Sequence, residues 1–475
     1  MVFSSLEFIF RFLPIFLIFY YITPNQYKNA ILLMGSICFY ALGEPVYVIL
    51  ILLSVLINFV IGKRIDNCGS REKGKRVWLI LALLYNVGML VAFKYTGFFI
   101  ENINQWIHFL GIRTGNGLAL LPEVNIILPL GISFYTFQIT SYIIDVYTGK
   151  TEAEESLIRL GAYLCMFPQL IAGPIVTYIS IRDQLKNRTH SMRKLEYGLH
   201  LFVIGLAAKV LIANRIGGLW REIQTIGFES ISTPLAWMGA FAYTLQIYFD
   251  FQGYSLMAIG LGKMLGFTLP KNFNYPYTSK SLTEFWQRWH MTLGQWFKEY
   301  VYIPLGGNRA GVLKTIRNMF IVWSLTGFWH GANWNFIIWG IIIFLIMTIE
   351  KAGLQKWLER FPFFAGLYML FLIPITWVIF AITSISQLRV YLSRMFPFWG
   401  LYEGACVNPD DYIKYAMQYG IFFVIGGLCS THLLGRWYRR HRSSVLAVFG
   451  LFILFWLSIY YLSNASNNPF LYFRF

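Results

Sequence analysis

Long apolar runs separated by short, positively charged loops dominate the pattern of this chain. Runs of membrane-spanning length fall near residues 3–22, 28–44, 46–62, 77–96, 157–176, 198–214, 232–262, 319–347, 364–383, 415–433 and 445–462. A bilayer core is crossed by about 17–25 apolar residues in a helix. The pattern therefore predicts an all-α, polytopic integral membrane protein with about eleven transmembrane helices. Two further stretches read as re-entrant or interfacial helices. Residues 126–147 are apolar but carry Pro129, Gly131, Ser133, Gln138 and Asp145, and residues 390–405 are short and aromatic, with Pro397 and Gly400. The opening run holds Arg11 inside it and shows no small-residue cleavage site, so it reads as a first membrane helix and not a removable leader.

The loops orient the spans. Lys63, Arg64, Arg71, Lys73, Lys75 and Arg76 crowd one loop; Arg182, Lys186, Arg188, Arg193 and Lys194 crowd another; Arg436, Arg439, Arg440 and Arg442 crowd the last. Cytoplasmic loops carry the excess of Lys and Arg, so all three are expected in the cytosol. The N-terminus and the tail 463–475 are then expected outside. Segment 263–317 differs in kind: it carries Pro270, Pro276 and Pro304 among charged and aromatic residues. It is too long for a plain connector and is expected to fold as short helices and loops on the cytosolic side. No internal repeat or soluble linker is visible, which predicts one membrane-embedded domain over 1–475.

Composition agrees. The 475 residues are 57% hydrophobic, 19% aromatic and 13% charged, against about 25% charged in soluble domains. The formal charge of +17 does not imply nucleic acid, because its cations sit in loops between spans. The cysteines form no Cys-x-x-Cys pair and the histidines no His-x-x-x-His pair. Neither a disulfide framework nor a metal site is expected.

Three places could carry chemistry. In Gly327-Phe328-Trp329-His330-Gly331-Ala332-Asn333-Trp334-Asn335, one histidine interrupts an apolar run. A charge at membrane depth costs roughly 2.5–3.5 kcal/mol on insertion scales, whereas an imidazole can stay neutral and act as a base. Asn333 and Asn335 suit a polar cavity around it. In Ser281-Leu282-Thr283-Glu284-Phe285-Trp286-Gln287-Arg288-Trp289-His290, Ser281 and Glu284 predict a capping box. Helical spacing then places Trp286, Gln287 and His290 on one face, with Glu284 paired to Arg288. Downstream, the turn Pro304-Leu305-Gly306-Gly307-Asn308-Arg309 could cradle an anion through backbone N–H groups and Arg309. Asp250, inside the run 242–260, is either a link between helices or a site residue.

Together these blocks resemble the membrane-bound O-acyltransferase family, and within it the alginate O-acetyltransferase branch. The blocks Phe285-Trp286 to His290, Tyr300-Val301-Tyr302-Ile303-Pro304-Leu305-Gly306-Gly307-Asn308-Arg309 and Trp329-His330-Gly331 fall in the family's order. Ser133-Phe134-Tyr135-Thr136-Phe137-Gln138, Pro168-Gln169-Leu170-Ile171-Ala172-Gly173-Pro174 and Asp250-Phe251-Gln252-Gly253-Tyr254-Ser255 are also similar to that branch. The resemblance implies helices around a central tunnel, with His330 as catalytic base. It implies His290 as a second site group that orients the donor or polarises its carbonyl through an imidazole N–H. No bound cofactor is implied. The donor substrate would be acetyl-CoA or another acyl thioester, met at the cytosolic mouth by Lys298 and Arg309. Tyr135 and Gln138 would line the cavity. The implied setting is a bacterial cytoplasmic membrane, and the implied partner is an extracytoplasmic acyltransferase acting on a polysaccharide. The tail Pro469-Phe470-Leu471-Tyr472-Phe473-Arg474-Phe475 resembles an acyl-relay motif, with Tyr472 as the acyl carrier; the competing reading is an aromatic anchor. D-alanyl transfer to teichoic acids and peptidoglycan O-acetylation remain rival outcomes. A lipid-linked sugar transporter is a rival class, which would show internal repeats and paired intramembrane charges.

Overall fold

A computed structural model describes residues 2–111, 113–114, 117–118, 120–124, 126–309, 311–399, 406, 408–465 and 471. These residues are helical apart from turns, loops and one short antiparallel pair, Arg113–Thr114 with Gly117–Leu118. Among them, six helices are long and apolar enough to cross a membrane: Val48–Asn67, Glu72–Lys94, Met192–Ile226, Trp334–Arg360, Pro362–Ala381 and Val445–Ser463. Asp411–Cys429 and His432–His441, bent by 65°, make a seventh if taken as one broken span.

The other apolar runs fold as shorter, broken or more polar helices, each for a local reason. The run expected at 157–176 stops at Cys165, because Met166 leaves the helical conformation ahead of Phe167-Pro168 and proline cannot continue a helix in register. The run at 3–22 yields only Phe8–Ile22, opening on a π-helical turn. The run at 319–347 was expected as one crossing. It is instead two helices, Val312–His330 and Trp334–Ile349.

The contacts gather into two compact units. The first comprises Phe12–Arg188 with Gly331–Asn333. Here Val48–Asn67 and Glu72–Lys94 pair through reciprocal amides: Asn58 Nδ2 donates to Asn86 Oδ1 at 2.9 Å, and Asn86 Nδ2 donates to Asn58 Oδ1 at 2.8 Å. Such bonds join helices where lipid offers no hydrophobic drive.

The second unit comprises Val2–Arg11, Thr189–His330 and Trp334–Phe475. Its frame is the contact between Met192–Ala207 and the 32-residue helix Thr233–Met264. A Cβ on Gly205 would lie 2.4 Å from the Gly253 carbonyl oxygen, and one on Gly198 would lie 2.6 Å from that of Gly260. The two contacts are spaced by seven residues on each helix, so the backbones touch twice in one antiparallel face. The same device closes the hairpin that carries His330. A Cβ on Gly327 would sit 2.4 Å from the Phe336 carbonyl oxygen, and one on Gly340 would sit 2.5 Å from that of Trp323.

Candidate active site

His330 is the last residue of Val312–His330 and is 5% exposed. Its ring stands edge-on to Trp339 at 5.4 Å and to Phe380 at 5.2 Å between centroids. Asn335 holds one side of this enclosure. Its side-chain amide donates to the carbonyls of Phe380 at 2.8 Å and Ile379 at 3.3 Å, near the C-terminus of Pro362–Ala381. That bond satisfies carbonyls that a helix end leaves open and fixes Phe380 beside the imidazole. Asn333 falls in the turn after His330, among the residues of the first unit.

Trp286 joins the same aromatic cluster, 5.4 Å from Trp339 and 5.0 Å from Trp323. Its helix, Leu282–Arg288, starts as expected: Ser281 Oγ accepts the Glu284 N–H at 3.1 Å, and Glu284 pairs with Arg288. The return bond of the capping box lands one residue early, on the Lys280 N–H at 2.7 Å.

The helix does not reach His290, which corrects the expected shared face of Trp286, Gln287 and His290. Gln287 is exposed, and His290 sits at φ 44°, the residue before the next helix, Met291–Phe297. Asn272 imposes this break. Its backbone carbonyl accepts the Met291 N–H at 2.9 Å, while the Asn274 N–H donates to the Arg288 carbonyl at 2.9 Å. A side chain in the left-handed region is costly and persists where surroundings over-determine it.

The same asparagine sets the tautomer of His290. Asn272 Oδ1 accepts the Thr292 backbone N–H at 3.3 Å and the Thr292 hydroxyl at 2.9 Å. A backbone N–H only donates, so this atom is the carbonyl oxygen. His290 Nδ1, 3.1 Å away, therefore carries the proton, and Nε2 is the ring's acceptor. Burial pulls the imidazole down to about 3, which keeps it neutral near pH 7. A role as N–H donor toward a carbonyl does not fit this tautomer, while accepting a hydrogen bond at Nε2 does. The ring packs edge-on against Phe251 at 4.7 Å and lies 6.1 Å from Trp329.

Asp250 joins two helices. Its Oδ1 lies 2.5 Å from Lys209 Nζ, and both side chains are buried. Lys209 was not singled out in the sequence, although it is a lone cation inside the run 198–214. Glu350 was also missed. Its carboxylate accepts the N–H groups of Leu282 at 2.6 Å and Thr283 at 2.8 Å, the Thr283 hydroxyl at 2.6 Å and the Tyr368 hydroxyl at 3.0 Å. It thus anchors the start of the helix that presents Trp286.

Lys298 and Arg309 are exposed. The turn between them is not a backbone anion cradle. The N–H groups of Leu305, Gly306, Gly307 and Arg309 donate to the carbonyls of Val301, Ile303, Tyr302 and Gly306. In the first unit, Tyr135 and Gln138 are buried on Ile132–Tyr147. The Tyr135 hydroxyl and both amide atoms of Gln138 have no hydrogen-bond partner among the described residues. Tyr472 lies outside the described residues.

Apolar helices of membrane-spanning length and two buried imidazoles packed among aromatic rings define a multi-pass membrane protein with a buried histidine site. The chain belongs to the membrane-bound O-acyltransferase family, whose model matches residues 153–394. It is an acyltransferase of the alginate O-acetylase-like branch. It is 38% identical over 498 aligned residues to the probable alginate O-acetylase AlgI of Pseudomonas putida, covering 100% of both chains. The probable alginate O-acetylase AlgI of Pseudomonas aeruginosa is 41% identical, over 85% of this chain and 76% of that protein. A peptidoglycan O-acetyltransferase of Helicobacter pylori is 32% identical, over 100% of this chain and 98% of that protein.

Proposed function

We propose that this chain takes an acetyl group from a cytosolic thioester, acetyl-CoA, and delivers it across the membrane for O-acetylation of an extracellular polysaccharide. His330 is the base. It takes the proton of an acceptor hydroxyl, the oxygen attacks the thioester carbonyl carbon, and the thiolate leaves and is protonated. His290, accepting at Nε2, orients a hydroxyl or N–H of the bound substrates. Lys298 and Arg309 attract the donor's phosphates at the cytosolic mouth, and Tyr135 and Gln138 line a central tunnel. Tyr472 takes the acetyl group first. Its phenol ester is more reactive than an alkyl ester, and an extracytoplasmic acyltransferase collects it. Both compact units act as one membrane-embedded domain in a bacterial cytoplasmic membrane, with about eleven crossings and both termini outside.

The observation that carries the reading is His330: a buried imidazole at a helix end, enclosed by Trp339 and Phe380. The test is purified protein in vesicles with radiolabelled acetyl-CoA. Acetyl transfer in the wild type and none in His330→Ala is expected. Transfer of D-alanine from a carrier protein, with acetyl-CoA inert, would move the chain to the D-alanyl branch.

A further inference from the structure

Asp250 has two carboxylate oxygens and a partner for each. Oδ1 meets Lys209, and Oδ2 accepts the backbone N–H of Leu471 at 2.8 Å. Leu471 follows Ser463, the end of the last long helix, by eight positions. Asp250 is seventeen residues into Thr233–Met264, or about 25 Å from its start at 1.5 Å per residue. A backbone N–H near the chain end is thus bound to an ion pair deep inside the unit. Such a contact needs a reason.

The surroundings supply one. Lys209 lies on the π-helical turn Ala208–Ala213. Such turns widen a helix locally and recur at functional sites. The next residue after Asp250, Phe251, packs against His290. The anchored residue, Leu471, is followed directly in the sequence by Tyr472.

We propose that the Lys209–Asp250 pair is the dock for the C-terminal segment. Lys209 holds the carboxylate with Oδ2 turned to the Leu471 N–H, and that single bond sets the register of the tail beside the histidine site. Lys209 and Asp250 are positioning residues: they hold the segment that carries the acyl acceptor and take no part in bond making. The role in catalysis rests on the relay reading of Tyr472, whereas the docking itself does not.

The test uses the full chain, purified, with Phe475→Cys as a reporter and the rate of its labelling by a bulky maleimide as the readout. Leu471→Pro deletes the N–H donor and leaves the core untouched, whereas Leu471→Ala keeps it. Leu471→Pro and Asp250→Ala are expected to label at least about tenfold faster than the reporter parent, the scale of losing a hydrogen bond to a charged group. Leu471→Ala is expected to label like the parent. Equal rates for Leu471→Pro and Leu471→Ala would overturn the dock, and this comparison holds even if Asp250→Ala fails to fold. Acetyl transfer is measured in parallel, in the same variants. Tyr472→Phe should keep slow labelling and lose transfer. Full transfer by Tyr472→Phe with slow labelling would sink the relay and leave the dock standing.

Discussion

His290 and His330 pack on the same indole. The Trp329 ring lies 6.1 Å from the His290 ring and 5.0 Å from the His330 ring. The two imidazoles come from segments forty residues apart in the chain and reach this indole by different routes. His330 rides the end of a helix held by the Gly327 and Gly340 contacts. His290 is held in a left-handed kink by Asn272. Each is packed among aromatic rings.

His330→Ala is expected to insert and fold normally and to lose acyl transfer by about 10²–10⁴-fold, the range for a missing general base. Turnover is compared at matched expression, with thermal unfolding in detergent as the control for folding. Wild-type-like turnover would remove His330 from the mechanism.

His290→Ala should lower kcat and raise KM for the acyl donor. Asn272→Ala should reproduce part of the effect, because it releases the tautomer without touching the ring. Unchanged kcat and KM in His290→Ala would reduce the imidazole to packing against Phe251. The pH profile gives a second check. With its imidazole pulled down to about 3, His290 gains a proton only below that pH and keeps one charge state from pH 5 to 8. The acid limb of the kcat profile in that window should therefore keep its midpoint in His290→Gln. A displaced midpoint would contradict the assignment.

Glu350 satisfies two backbone N–H groups at the start of the Trp286 helix and two hydroxyls besides. Each buried donor left unsatisfied costs about 1–3 kcal/mol. Thermal unfolding in detergent should rank wild type above Glu350→Gln and Glu350→Gln above Glu350→Ala. An unfolding midpoint for Glu350→Ala equal to wild type would show that the cap contributes nothing.

The Gly205–Gly253 contact leaves no room for a side chain, with a Cβ at either position 2.4–2.6 Å from a carbonyl oxygen. Gly253→Val should force the helices apart and abolish accumulation of monodisperse protein. Gly420→Ala, where a Cβ meets nothing within 4 Å, should be tolerated. Size-exclusion profiles of the two variants would separate them, and matching profiles would count against the close crossing.

In reconstituted vesicles the purified chain alone is expected to load acetyl groups without acetylating added polymer. Adding an extracytoplasmic acyltransferase should complete the transfer. Full polymer acetylation by this chain alone would exclude the hand-off.

The sequence by itself determined what local physics controls. Apolar runs became helices, Ser281 capped the helix it precedes, Glu284 paired with Arg288, and one histidine stood out in the run that ends at residue 347. These effects act within about one helical turn or follow from the transfer of side chains out of water. Only the tertiary structure decided where helices stop under outside influence and which distant groups meet. The helix expected to carry Trp286, Gln287 and His290 together ends early because Asn272, eighteen positions before His290, competes for its backbone. Lys209 finds Asp250 across forty-one positions, and Glu350 reaches Leu282 across sixty-eight. The reason is common to all three. A buried polar group must find a partner, but the sequence names only the need, and packing the helices against one another selects which partner meets it.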